Sequence, residues 1–279
     1  MVALVVMSSA ACSLVVDTSG YVGGAPRDED GGAAQEGGAS PPVRDGGSDD
    51  GASVGSRYRD AVLSDSPILY FRLGETSGTT AKDASGKGHD GAVNGTVGWR
   101  ATGALAGDQD TALAFDGAST YIDVGNAISF SGRAPYTLEA WIFTELIDGS
   151  FRHIVMKNWE PTTDVREDFG VYVEKSNGLV FERIVGGATR TARSTQTDTL
   201  IGRWAYVVAR YDGSVLALFV DGVQVGETAD TRSQPTKDVP LLLGKRYDAP
   251  SFSGVIDEIA IYDTALPAAR IAAHYALAR

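Results

Sequence analysis

Short apolar runs separated by turn residues dominate the chain from residue 56 onward. They recur every eight to twelve residues, a spacing typical of a β-sandwich or β-barrel. The sequence Asp221-Gly222 separates two of these runs, and Asp-Gly tolerates the positive φ that tight hairpin turns require. We therefore expect an antiparallel meander across residues 204–226. The predicted strands cover residues 68–73, 113–115, 121–124, 136–143, 153–157, 169–174, 179–184, 204–211, 216–220, 223–226, 241–244 and 255–262.

One predicted strand carries large side chains on both of its faces. In residues 136–143, Leu138 and Ile142 lie on one face. Glu139 and Trp141 lie on the other. A strand covered on both sides is usually central in a sheet that packs on a partner sheet by one face. We expect the opposite face to line a ligand groove, into which Glu139 would project.

Helical periodicity appears at the two ends of the strand-rich region. Pro267 precedes residues 268–275, where Ile271 and Tyr275 fall on one helical face. A shorter helical turn is predicted for residues 57–63. We expect both helices to close the edges of the sandwich.

The composition changes sharply near residue 55. Residues 17–55 are rich in glycine and carboxylates and nearly devoid of large apolar side chains, so they predict a disordered acidic linker. Half of the formal net charge of −12 lies in residues 1–55. No run of Lys or Arg interrupts this acidity, which argues against nucleic acid as a partner. The predicted folded domain is residues 56–279.

Residues 1–16 resemble the end of a bacterial lipoprotein signal. An apolar run and several small residues precede Cys12, the single cysteine of the chain. In such signals the cysteine thiol is lipidated and becomes the new N-terminus. We therefore expect a protein anchored by lipid at Cys12 to the membrane of the cell envelope or surface, or a secreted one.

Several motifs along residues 57–279 resemble the LamG-like jelly-roll family of the concanavalin A-like lectin/glucanase fold. The resemblance implies an all-β sandwich of two antiparallel sheets, frequently a Ca²⁺ ion, and a binding or adhesion role. In chain order the motifs are residues 70–75 (YFRLGE), 83–86 (DASG), 114–117 (AFDG), 136–142 (YTLEAWI), 219–222 (FVDG), 243–244 (LG) and 252–259 (FSGVIDEI).

The glycine-rich acidic loop at residues 83–91 could hold that cation, because Ca²⁺ prefers carboxylate and carbonyl oxygens. The family pattern places Asp257 near Asp83, so these two are the predicted calcium ligands. Glu75 and backbone carbonyls near Gly88 are additional candidates. The alternatives are an Asx turn for Asp83 and a carboxylate satisfied by backbone N–H groups for Asp257.

The predicted function is a non-catalytic binding module that recognises a glycan or a cell-surface protein. For stacking on a sugar ring, Trp159 in the polar segment 158–168 is the first candidate and Tyr247 the second, with Glu139 as a hydrogen-bonding residue. One alternative is a glycan-active hydrolase or lyase that uses Glu139. Asp257 and Glu258 would lie on opposite faces of a regular strand, which disfavours them as a catalytic pair. A purely structural envelope protein is the other alternative.

Overall fold

The computed structural model describes residues 53–144, 151–160, 165–174, 178–194, 200–236, 238–246 and 249–279, with only the backbone at 158–160 and 165–167. The two helices are α1 (Val54–Ser64) and α2 (Ala268–Leu277). The strands are β1 (Leu69–Phe71), β2 (Thr80–Ala81), β3 (Gly91–Asn94), β4 (Gly98–Thr102), β5 (Thr111–Asp116), β6 (Tyr121–Asp123), β7 (Tyr136–Thr144), β8 (Arg152–Glu160), β9 (Val165–Val173), β10 (Leu179–Val185), β11 (Ala188–Arg193), β12 (Trp204–Tyr211), β13 (Val215–Val220), β14 (Val223–Ala229), β15 (Leu242–Leu243) and β16 (Ser253–Tyr262).

The strands form two antiparallel sheets of eight strands each, which confirms the predicted two-sheet sandwich. Sheet 1 has the order β14-β13-β12-β7-β16-β5-β4, with β1 paired to β16. Sheet 2 has the order β11-β10-β9-β8-β15-β6-β3-β2. The predicted meander is β12-β13-β14, and its Asp221-Gly222 turn has φ values of 52° and 79°.

The main core lies between the two sheets and centres on Tyr136. The Tyr136 ring stacks on Phe130 at a centroid distance of 4.4 Å. It also contacts Phe169 at 5.0 Å, Tyr211 at 5.6 Å and Phe181 at 6.0 Å. Such aromatic pairs contribute about 0.5–1.5 kcal/mol each beyond the area they bury. Residues from both sheets meet here, so this cluster fixes how the sheets face each other.

A second core covers the outer face of sheet 1, where the sequence predicted an open groove. Trp141, Tyr206 and Tyr262 point outward from sheet 1 and are buried beneath the helices. Tyr58 of α1 and Ile271 of α2 pack against them. The groove prediction was wrong because both helices lie across this face instead of closing the edges of the sandwich.

One histidine connects α2 to both α1 and sheet 1. His274 is fully buried, and its Nδ1 lies 3.0 Å from Glu139 Oε2 on β7. Its Nε2 lies 3.0 Å from Oδ2 of Asp65, the residue that caps α1. A carboxylate can only accept a hydrogen bond, so facing two carboxylates favours the imidazolium, which carries N–H on both ring nitrogens.

Further polar side chains surround His274 and its two carboxylate partners. Tyr206 and Tyr262 donate hydroxyl hydrogen bonds to Glu139 from β12 and β16. On α2 itself, Arg270 donates from Nε to Asp65 Oδ2, and the Tyr58 ring of α1 lies 6.1 Å from the imidazole. Burial and the Arg270 charge lower the pKa of His274, but the hydrogen bond to Glu139, the charge of Glu139 and the charge of Asp65 together outweigh them. The net result is a raised pKa.

We predict that His274→Gln destabilises the protein most at low pH. Removing one partner of a buried ion pair costs about 3–5 kcal/mol. Because the folded pKa of His274 is raised, its contribution is complete below the unfolded pKa of about 6.5 and is lost as pH rises through the folded value. Chemical denaturation at pH 5.5 and pH 9 should show a larger wild-type-minus-variant difference at pH 5.5.

The variant must be compared with the wild type because Glu258 changes the stability with pH in the same direction as His274. Its burial raises its pKa to about 7, so it also favours the folded state at lower pH. His89→Gln is the matched control, since no ion pair involves the His89 ring in the described part of the chain. An equal loss of stability for His274→Gln at both pH values would contradict the imidazolium.

Candidate functional site

A cavity of about 360 Å³ opens on the outer face of sheet 2. It is lined by Tyr121 and Asp123 of β6, Leu242 of β15, and two flanking residues, Pro240 and Lys245. The strand alternation explains this placement. Ile122 and Leu243 belong to the core between the sheets, so their neighbours Tyr121, Asp123 and Leu242 point away from it.

The cavity combines an aromatic ring, a carboxylate and an ammonium group. Lys245 Nζ lies 5.0 Å from the centroid of the Tyr121 ring, within range of a cation–π contact. Asp123 Oδ1 accepts a hydrogen bond from Gly125 N at 2.8 Å. No hydrogen-bond donor among the described residues contacts Asp123 Oδ2, so that oxygen can accept from a ligand.

Gly244 sets the position of Lys245. Its φ of +80° is in the left-handed region, and a Cβ there would lie 2.1 Å from the Phe115 ring. Gly244 N donates to Ile154 O at 2.8 Å, and Phe252 N donates to Gly244 O at 2.6 Å. Only glycine fits both the conformation and the space. The backbone before Lys245 is therefore fixed on both sides.

The same face of sheet 2 continues beyond the cavity as an aromatic patch. Leu242 pairs with Met156 of β8, which belongs to a small buried cluster with Tyr172 of β9. Tyr172 Oη donates to Glu182 Oε2 at 3.2 Å. The Phe151 ring, 41% exposed, meets the Tyr172 ring edge-on at 5.7 Å. Because Met156 and Tyr172 are buried, the exposed Phe151 ring is the part of this patch that a ligand extending along this face would meet.

Among the residues predicted from sequence to bind a ligand, Glu139 is the one whose side chain the structure describes, and it does not line this cavity. Glu139 is buried under α2 within the His274 network. Trp159 lies on strand β8, paired with Arg166 of β9, and not in a loop; its side chain is outside the described residues. Tyr247 and Cys12 also lie outside the described residues. The sequence predicted the strand that contains Tyr121 and Asp123, but a three-residue strand alone gives no signal that its outward side chains line a site.

The family of the chain follows from residues 116–272, more than half of its length. These residues match the family model of the concanavalin A-like lectin/glucanases superfamily. The chain belongs to this superfamily. The match confirms the resemblance seen in the sequence motifs.

Several solved structures share the superfamily fold at low sequence identity. Domain 4 of AbnA, a GH43 extracellular arabinanase from Geobacillus stearothermophilus, in complex with arabinotriose, is 17% identical with a TM-score of 0.59. The alignment covers 76% of this chain and 98% of that one. The binding domain of Paraclostridial Mosquitocidal Protein 1 is 16% identical with a TM-score of 0.60. At these identities the likeness establishes the fold alone.

The toxin domains are larger than this chain. The ligand binding domain of botulinum neurotoxin serotype D, in complex with N-acetylneuraminic acid, is 13% identical with a TM-score of 0.60. The alignments cover 76% and 78% of this chain but 52% of each toxin domain, so the chain spans about half of their length.

No curated protein matches the chain. In the part of the chain that the structure describes, no helix is long and apolar enough to span a membrane.

Members of this superfamily include glycan hydrolases, so the buried carboxylates must be considered as a catalytic pair. Asp257 and Glu258 are both buried on β16, and the negative charge of Glu258 adds to burial in raising the pKa of Asp257. Glu258 has a φ of 46° and lies where the pairing register between β16 and β7 shifts. This bulge breaks the alternation that predicted opposite faces for the two carboxylates.

The environment of this pair explains its burial without catalysis. Asp257 Oδ2 accepts from Ala104 N at 2.8 Å, and its Oδ1 accepts from Glu258 N at 2.9 Å. Glu258 accepts from Tyr70 Oη and from Arg72 Nε. A polar cavity of about 340 Å³ lies nearby, but neither Asp257 nor Glu258 lines it. The pair therefore lies out of reach of a substrate in that cavity.

The predicted calcium loop is held by backbone hydrogen bonds. Asp83 Oδ1 accepts from Tyr70 N and from Ser85 N, the latter forming an Asx turn, and Oδ2 accepts from His89 N. Burial tends to raise the pKa of Asp83, but these hydrogen bonds outweigh burial and leave the pKa below its ordinary value. The Asp83 carboxylate joins the loop to the start of the sandwich at β1.

The structure does not bring the predicted calcium ligands into one group. Asp83 and Asp257 share no hydrogen-bond partner, and every carboxylate oxygen of the two already accepts a backbone N–H. Glu75 Oε1 accepts from Lys82 N, and Gly88 has a φ of +82° in open space. Among the described residues, no group of three or more His, Cys, Asp or Glu could hold a metal ion. Calcium stays a prediction that this geometry does not favour.

We predict that Asp83→Ala lowers the free energy of unfolding by about 2–3 kcal/mol, because three backbone amides lose a charged acceptor. Thermal melts in CaCl₂ and in EDTA should show the same loss. Asp263→Ala, which removes an exposed carboxylate near the other end of the domain, is the matched control. A wild-type protein that loses as much stability in EDTA as Asp83→Ala does in CaCl₂ would contradict the amide role and indicate a bound cation.

Proposed function

We propose that the chain is a non-catalytic, extracytoplasmic module that binds carbohydrate in the cavity lined by Tyr121, Asp123, Leu242 and Lys245. The observation that carries this proposal is the composition of the cavity. An aromatic ring can pack on the apolar face of a sugar ring, a carboxylate accepts from hydroxyl groups, and an ammonium donates to them. Leu242 adds an apolar side chain to the lining of the cavity.

The closure of the opposite face supports the choice of this cavity. On sheet 1, α1 and α2 cover the outward-facing aromatic side chains. No helix of the described chain covers the cavity on sheet 2. Its volume of about 360 Å³ lies within the range of about 300–1,000 Å³ that is usual for small-ligand sites.

The related structures support the same class of ligand. Domain 4 of the arabinanase was solved with arabinotriose, and the neurotoxin domain with N-acetylneuraminic acid. The first is one numbered domain of a larger enzyme, and the second is described as a ligand binding domain. A binding role without catalysis is consistent with them.

The charge content of the cavity also favours binding over hydrolysis. Glycoside hydrolysis generally requires two carboxyl groups that flank the scissile bond. Asp123 is the single carboxylate among the described residues that line the cavity. Lipid anchoring at Cys12, attachment to the cell envelope and calcium binding remain proposals that rest on the sequence.

We predict that Tyr121→Ala weakens binding to a glycan by about tenfold or more, because aromatic contacts at the centre of a site commonly carry at least 1.4 kcal/mol. Asp123→Asn should weaken it as well, while its amide oxygen can still accept from Gly125 N. The measurement is a glycan array with the full chain, followed by calorimetric titration of each hit against the wild type and both variants.

The matched controls are Tyr275→Ala on the helix-covered face and Asp263→Asn on the surface. Both should bind like the wild type once circular dichroism confirms that they are folded. Hits that depend on neither Tyr121 nor Asp123 would contradict this site. Absence of any glycan hit would contradict carbohydrate binding and favour a protein ligand or a structural role.

A further inference from the structure

We propose that the cavity selects acidic sugars, with Lys245 pairing to the carboxylate of the ligand and Asp123 accepting from its hydroxyl groups. This inference rests on the proposed function and names the class of glycan. It follows from how Lys245 is held and from what it contacts.

In the described part of the chain, Lys245 has no anionic partner. Its ammonium contacts the face of the Tyr121 ring. No carboxylate among the described residues lies within ion-pair distance of Nζ. The acidic lining residue, Asp123, lies two residues beyond Tyr121 on β6, about 6.6 Å from it along the strand. A cation in a partly enclosed cavity without a counter-ion is suited to an anionic ligand group.

A ligand carboxylate would bind the ammonium better than the ring does. A cation–π contact at a partly exposed site is worth about 0.5–1 kcal/mol. A hydrogen bond to a charged group is worth about 1.5–3 kcal/mol. We therefore expect an acidic sugar to draw Lys245 off the Tyr121 ring. The same movement would uncover the ring face for stacking, so that one side chain contributes to both contacts.

The two charged groups also fix the direction in which an acidic sugar lies. Asp123 would repel a ligand carboxylate placed at its end of the cavity, so that group must lie at the Lys245 end. The hydroxyl groups then face Asp123 Oδ2. Because Gly244 holds the backbone before Lys245, the ammonium is kept near this end before the ligand arrives.

The overall charge of the chain cannot supply a preference for acidic glycans. Its formal net charge is −12, which repels anions at long range. Any selectivity for acidic sugars must therefore come from local cations, and Lys245 is the cation among the described residues that line this cavity. This makes the proposal testable at a single position.

The experiment compares matched acidic and neutral glycans with the full chain at low and high salt. The probes are sialyllactose with lactose, trigalacturonate with its methyl ester, and the acidic and neutral hits of the array. We expect acidic glycans to bind at least tenfold more tightly than their neutral partners. Raising NaCl from 50 to 500 mM should weaken acidic binding in the wild type.

Lys245→Gln should weaken the binding of acidic glycans about tenfold and that of neutral glycans much less, because the Gln amide can still donate to a hydroxyl group. Lys245→Arg should retain the preference for acidic glycans. Lys87→Gln, in the exposed loop of Asp83, is the matched control. Equal or tighter binding of neutral glycans through Tyr121 would overturn the acidic class but leave the proposed function standing. A preference for acidic glycans that survives Lys245→Gln would overturn the role of Lys245. Failure of all glycans would overturn both proposals.

Discussion

The His274 side chain lies between two carboxylates from different elements, and the closure of sheet 1 depends on this arrangement. Glu139 belongs to a central strand and Asp65 to the end of α1, so a single side chain of α2 joins three elements. Without the helices, the aromatic side chains of sheet 1 and the Glu139 carboxylate would be exposed on this face. Because His274 and Arg270 balance the charges of Glu139 and Asp65, the helices can lie across that face without leaving either carboxylate unpaired.

With one face closed, the proposed ligand site lies on sheet 2. There the short strands β6 and β15 place Tyr121, Asp123 and Leu242 around one cavity. Gly244 then positions Lys245 over the aromatic ring. The two faces of the sandwich therefore carry similar residue types for different purposes. Tyrosines and a carboxylate hold helices on sheet 1, and a tyrosine and a carboxylate line an open cavity on sheet 2.

Periodicity predicted the sandwich, the hairpin at Asp221 and both helices, because these follow from local patterns in the sequence. It could not predict where the helices dock. A strand face that carries Glu139 and Trp141 can line a ligand groove or pack against a helix, and the pattern is the same in both cases. It also failed at Glu258, where a bulge places adjacent carboxylates close together. The cavity could not be predicted because its residues come from two segments at least 117 positions apart in the chain, which meet through the pairing of β6 with β15.

The most direct test of this account is to locate the bound ligand on the protein. Amide chemical shifts of the ¹⁵N-labelled full chain should be followed while an acidic glycan from the array is titrated. The account predicts that the largest shift changes occur in residues 121–125 and 241–246, with little change in α2. The largest changes in α2 and β7 would contradict it, because they would place the ligand on the face that His274 closes.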